Sequence, residues 1–129
     1  MNLSSRLPAA MLAAAFFSTS ALAVDDGDFN YRSTEDLYQI CSAPEDPASA
    51  SPAAFACRAF IAATVQYHDA VSDRKRLKRL VCYPKSATIA DGRKAFLAWG
   101  ARNAGNAERM NEVPVMGLMR ALAEAYPCK

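Results

Sequence analysis

The sequence predicts an all-α fold, a small disulfide-stabilised bundle of four to five helices. Apolar residues recur at helical spacing in three separate stretches that follow helix-start signals and in a fourth near the end of the chain, and no segment alternates convincingly at period two. Four cysteines, Cys41, Cys57, Cys82 and Cys128, are spread along a chain of 129 residues, all downstream of an export signal. In an oxidising compartment an even, well-spread set reads as a disulfide framework.

Ser33 with Asp36 three residues on forms a capping pattern, opening a short helix through Leu37, Tyr38, Ile40 and Cys41. Residues 42–51, with Pro44 and Pro47 among Ala and Ser, read as a loop. Ser51-Pro52 starts the second helix, since proline is welcome in the first turn. Ala54, Cys57, Ile61, Thr64 or Val65, His68 and Val71 then recur at helical spacing, giving a helix of about five turns. Leu77, Leu80 and Val81 suggest one more short helical turn facing inward, before Tyr83-Pro84 breaks the pattern. Thr88 with Asp91 caps a third helix carrying Ile89, Phe96, Leu97 and Trp99 to about Arg102. Phe96 and Trp99 are expected in the core. Residues 103–111 form a polar connection, and Val115, Leu118, Met119, Leu122 and Tyr126 make the stripe of a last helix that Pro127 ends.

Residues 1–23 have the three parts of a secretory signal. Arg6 supplies the positive n-region, Leu7 to Phe17 the apolar run, and Ala21-Leu22-Ala23 an A-x-A cleavage site. The run is short of the roughly 20 apolar residues a membrane-spanning helix needs. The expected organisation is therefore a signal peptide at 1–23, a flexible polar tail at 24–32 and a single helical domain at 33–129. The expected destination is the bacterial periplasm. Loss of Arg6 lowers the formal net charge by one from the full chain's +2, so charge gives no argument for nucleic acid. No segment is expected to cross a membrane.

Four cysteines allow three pairings, and the sequence alone does not choose among them. Cys41 ends one helix and Cys57 lies in the second turn of the next, so an antiparallel hairpin favours Cys41–Cys57. Cys82 precedes the third helix and Cys128 follows the last, which favours Cys82–Cys128. Loops of these sizes contribute about 3 and about 4 kcal/mol in the chain-entropy model. With no C-x-x-C knuckle and a single histidine, a metal site has little support, and no cofactor is expected.

Catalysis also finds little support. Any nucleophile system would have to be built on His68, which reads more plainly as a partly buried histidine flanking the core. No helical H-x-x-x-H pair and no Gly-rich phosphate loop is present. Glu108 and Glu112, four apart, read as helix-dipole partners. Two stretches are candidates for meeting a protein. One is the basic run Arg74-Lys75-Arg76-Leu77-Lys78-Arg79, from which Arg74, Lys75, Lys78 and Arg79 could dock an acidic surface or lie on a solvated face. The other is the polar connection, where Asn103, Asn106, Glu108 and Arg109 offer donors and acceptors.

Three motifs together resemble a family. Cys57-Arg58-Ala59-Phe60-Ile61-Ala62-Ala63, Val81-Cys82-Tyr83-Pro84 before the cap at Thr88, and Ala121-Leu122-Ala123-Glu124-Ala125-Tyr126-Pro127-Cys128 are similar to elements of the Rap/Tai immunity proteins of type VI secretion amidases. The likeness runs from about Thr34 to Cys128. Phe60 stands where a tyrosine is common and Ala63 where a glycine is common; both concern packing of the second helix. The resemblance implies a non-enzymatic, often dimeric, disulfide-bonded periplasmic protein that blocks a peptidoglycan amidase delivered by neighbouring cells, in part through a loop entering the toxin's cleft. The competing readings are a periplasmic acid-stress chaperone and an orphan envelope binding protein. Two disulfides would resist the acid opening such a chaperone needs.

Overall fold

A computed structural model describes residues 30–44 and 51–129. The expected export signal at 1–23, residues 24–29 of the expected polar tail and positions 45–50 of the Pro-rich loop lie outside the described residues. The helices are α1 (Thr34–Ser42), α2 (Pro52–Lys75), α3 (Ile89–Asn103), α4 (Ala107–Met110) and α5 (Pro114–Ala125), with no strand among the described residues.

Local chemistry sets each start. Ser33 Oγ accepts from the Asp36 amide at 3.1 Å while Asp36 accepts from the Ser33 amide at 3.0 Å, so both halves of a capping box close. Thr88 and Asp91 repeat the arrangement at α3. Ser51 caps α2 with Pro52 in its first turn. Such a cap stabilises a helix by about 1 kcal/mol.

α2 has 24 residues, longer than its apolar pattern alone suggests. It ends where Arg76 turns left-handed (φ 49°, ψ 39°), with the Arg76 amide bonded back to the carbonyls of Ser72 and Asp73. That turn removes the extra inward helical turn expected from Leu77, Leu80 and Val81. Residues 77–80 instead form a non-helical strap on which Leu77 and Leu80 are 54% and 64% exposed, and only Val81 is buried.

The short α1 is the hub, packing against α2, α3 and α5. Leu37 and Ile40 from α1, Ile61 from α2, Phe96 and Trp99 from α3, and Leu118 and Leu122 from α5 form the core. Phe96 stacks on Trp99, and Tyr38 meets Phe96 edge-on, each pair at a centroid separation of 6.4 Å. Two helix crossings depend on glycine. A Cβ on Gly100 would strike the Tyr38 ring, and one on Gly117 would lie 2.9 Å from Thr34 Cβ. Thr34 is fully buried there, its Oγ1 donating to the Glu112 carbonyl at 3.0 Å and so tying the start of α1 to that of α5. At the other end of α1, the Arg93 guanidinium donates to the Cys41 and Ala43 carbonyls at 2.9 and 3.0 Å, satisfying acceptors that a helix terminus leaves open.

Disulfides join Cys41 to Cys57 and Cys82 to Cys128, closing sequence separations of 16 and 46. Of the polar stretch 24–32, residues 30–32 fall among the described residues. Tyr31 stacks on Phe60 at 5.1 Å, and the Arg32 amide donates to Asp36. The connection 103–111 is not wholly a loop. Asn106 caps the single turn α4, and Met110 drops into the core at 3% exposure.

Candidate functional site

Two surfaces carry the residues that the sequence singles out. The first is the α3–α5 connection. Asn103, at the end of α3, donates to the Trp99 carbonyl at 2.8 Å and accepts from the Arg109 guanidinium at 3.2 Å. Asn106 Oδ1 accepts from the Arg109 amide, again at 3.2 Å. Asn106, Glu108 and Arg109 are exposed and Asn103 is half-buried, so the structure brings all four into one short, internally braced projection. Met110 anchors it from below. Glu112 takes a bidentate pair of 2.8 Å bonds from Arg120, which holds its carboxyl below the usual carboxylate range.

The second surface lies where α2 ends. Arg74 and Lys75 occupy its last turn and Arg76 its cap. Arg79 differs from the rest of the run. It reaches back to Asp73 at 2.7 Å and Asp69 at 3.3 Å, so its charge is compensated within the fold rather than offered to a partner. Arg74, Lys75, Arg76 and Lys78 make no salt bridge among the described residues.

Asp69 is the knot behind the strap. Burial pushes its carboxyl up, but hydrogen bonds from Tyr83 and His68, with the Arg79 charge, outweigh burial and leave it lowered. The same contact works in reverse on Tyr83, whose phenol is pushed up to about 12 by burial and by the adjoining carboxylate. His68 joins the knot to the strap. Its Nε2 accepts from the Leu80 amide at 3.1 Å and its Nδ1 lies 3.0 Å from Asp69 Oδ1, which places the ring proton on Nδ1.

An Asp–His pair can serve as a general base only when the second ring nitrogen faces a reactive group. Here the Leu80 amide fills that position. All four cysteines are oxidised, so no thiol is available as nucleophile. No cluster of His, Cys, Asp or Glu able to hold a metal occurs among the described residues. No described helix is long and apolar enough to cross a membrane.

A third feature escaped the sequence reading. Ala63, Thr64, Tyr67 and Val71 of α2, Leu77 and Leu80 of the strap, and Val115 and Met119 of α5 line an apolar groove of about 740 Å³. The stripe expected for the last helix is thus divided. Leu118 and Leu122 face the core, while Val115 and Met119 face the groove. The available signal was the length of α2, whose apolar period continues beyond any neighbour able to cover it.

No curated protein and no solved structure shows significant similarity to the chain. A family description does match: residues 33–128 fit the model of the Rap1a immunity proteins, from the α1 cap to the last cysteine. That span takes in all five helices and both disulfides, and the chain belongs to the Rap1a immunity protein family.

Proposed function

We propose that this chain is a periplasmic immunity protein that binds and inhibits a peptidoglycan amidase delivered by type VI secretion. The observation that carries the reading is the family match over residues 33–128. The stiff fold supports it. Two disulfides and an internally braced projection present side chains already ordered, which reduces the conformational cost of forming a tight complex. Asn106, Glu108 and Arg109 would enter the toxin's cleft, a reading supported by their exposure and by the bond from Arg109 to Asn103. The protein acts by occupying the enzyme and performs no chemistry itself. The secretory signal at 1–23 routes it to the compartment where a cell-wall amidase would act.

The test is protection. The cell-wall amidase encoded beside this gene is exported to the periplasm of a sensitive host, with this protein supplied in exported or leaderless form. Rescue from lysis by the exported form alone, with a stable complex on a sizing column, is the expected result. Lysis despite good expression refutes the reading. Sizing of the free protein tests the homodimer in the same experiment.

A further inference from the structure

α2 is too long for the bundle that it helps to build. At a rise of 1.5 Å per residue its 24 residues span about 36 Å, whereas α1 has 9 residues and α5 has 12. Its buried positions Ala53, Ala54, Cys57 and Ile61 fall in the first half, and Ser72 alone follows them. The second half nevertheless continues an apolar stripe through Ala63, Thr64, Tyr67 and Val71. Tyr67 is 72% exposed and Leu80 64%, so the stripe and the strap beside it are left without an intramolecular cover. Val115 and Met119 of α5 form the facing wall.

From Ala63 to Val71 the groove follows α2 for about 12 Å, or two helical turns. A slot with two turns of α2 on one side, and the strap with one turn of α5 on the other, fits a helix presenting apolar anchors at i, i+3 or i+4, and i+7. Its Tyr, Leu and Met lining provides the large, desolvatable side chains on which interface energy concentrates. Lys78 lies on the lining itself, and Arg74, Lys75 and Arg76, exposed at the end of α2 just past Val71, make no salt bridge among the described residues.

We infer that this groove receives an amphipathic helical segment of the toxin, with carboxylates flanking its apolar face. The inference rests on the immunity reading and assigns it a second contact surface, apart from the 103–111 projection. Charge decides between a toxin helix and a second copy of this chain. A two-fold dimer closed through the groove would bury two basic collars, eight such cations, in one interface with no added carboxylates to neutralise them, and the summed like charge would oppose it. Carboxylates on a partner would instead neutralise the collar and speed docking at low salt.

The experiment titrates the mature protein with a catalytically inactivated form of the neighbouring amidase, at low and at moderate salt. The variants are Tyr67→Ser, Leu80→Ser, Val115→Ser and the pair Arg74→Gln/Lys78→Gln. These side chains are exposed, and circular dichroism verifies that each variant is folded. The expected result is a loss of affinity beyond tenfold for at least two of the three apolar changes, with a flatter salt dependence for the double charge variant. Tight binding by the wild type that no groove variant alters overturns the inference and leaves the immunity reading standing. Variants that dissociate a dimer without weakening amidase binding assign the groove to a second copy, and also overturn it. Failure of the wild type to bind overturns the immunity reading and the groove assignment together.

Discussion

Replacing both cysteines of one disulfide by alanine separates two contributions that usually travel together. For Cys82–Cys128 the sequence separation is 46, and the chain-entropy relation gives a loss of about 4 kcal/mol at 25 °C. Cys82 is exposed and Cys128 half-buried, so little packing is lost with the sulfurs. For Cys41–Cys57 the separation is 16, giving about 3 kcal/mol from loop closure. Both of those sulfurs are fully buried in the core, however. Burial at about 0.8 kcal/mol per methylene-sized group adds roughly 1 to 2 kcal/mol for the pair. Loop length alone ranks the second disulfide as the more important, whereas loop length with burial puts the two level or reverses them. The expected outcome is a loss of about 4 kcal/mol for Cys82→Ala/Cys128→Ala and at least as much for Cys41→Ala/Cys57→Ala. Urea unfolding followed by circular dichroism measures both, and constant slopes show that the denatured state is comparable. In a domain of this size, 4 kcal/mol also corresponds to a fall in Tm of about 15 to 30 °C. A loss below about 1 kcal/mol for the Cys82–Cys128 variant would refute the loop-closure reasoning. A clearly smaller loss for Cys41–Cys57 would refute the packing contribution.

Trp99→Ala empties a site of 1% exposure stacked on Phe96 and is expected to cost about 3 to 5 kcal/mol, read from the urea midpoint. Gly117→Ala gains about 1 kcal/mol of helix propensity but drives a methyl into the buried Thr34, whose bond to Glu112 would have to shift. A net loss of about 1 to 2 kcal/mol is expected, whereas Gly105→Ala meets nothing within 4 Å and should be neutral or slightly stabilising. The pH dependence of Tm follows from three lowered carboxylates and two raised phenols, Tyr83 and Tyr31, the latter raised by burial. Asp69, Asp91 and Glu112 contribute stability above their ordinary values near pH 4, and that contribution disappears as pH falls through their lower folded values. Tyr83 contributes below its ordinary value of 10.0 and loses that contribution as pH rises towards about 12. Tm should therefore fall on both the acid and the alkaline side, and Tyr83→Phe should shrink the alkaline limb to the share of Tyr31; an unchanged alkaline limb would assign it to Tyr31 alone. Near-UV circular dichroism from pH 7 to pH 2 completes the series. A signal retained until the carboxylates titrate counts against an acid-activated chaperone, and early loss with dye binding would favour one.

The elements that were legible in the sequence have local causes. Ser33 with Asp36, Ser51 with Pro52, and Thr88 with Asp91 start helices through bonds that span three residues, so the sequence contains both partners side by side. Phe96 and Trp99 could be assigned to the core because large aromatic residues on one face of a capped helix have few other places to go. What the sequence missed depends on groups far apart in the chain. Leu77 and Leu80 look like inward residues of a further helical turn, yet Arg76 takes a left-handed conformation that its residue type does not announce. The strap is then fixed by His68 and Asp69, 12 and 10 residues from Leu80 and Arg79. Met110 is the one large apolar residue in the stretch 103–111, so no periodicity marks it as the anchor of that projection. The same distinction explains the candidate surfaces. Composition located the basic run and the polar connection but treated each run as uniform. Folding divides them. Arg79 turns back to Asp69 and Asp73 while Lys78 remains at the groove, and Asn103 braces Arg109 while Glu108 makes no such bond among the described residues. Adjacent residues with the same charge therefore have opposite roles, and Arg79→Gln should lower Tm while Lys78→Gln leaves it unchanged and weakens amidase binding at low salt. Equal effects of the two substitutions on both readouts would mean that the basic run acts as a single solvated face.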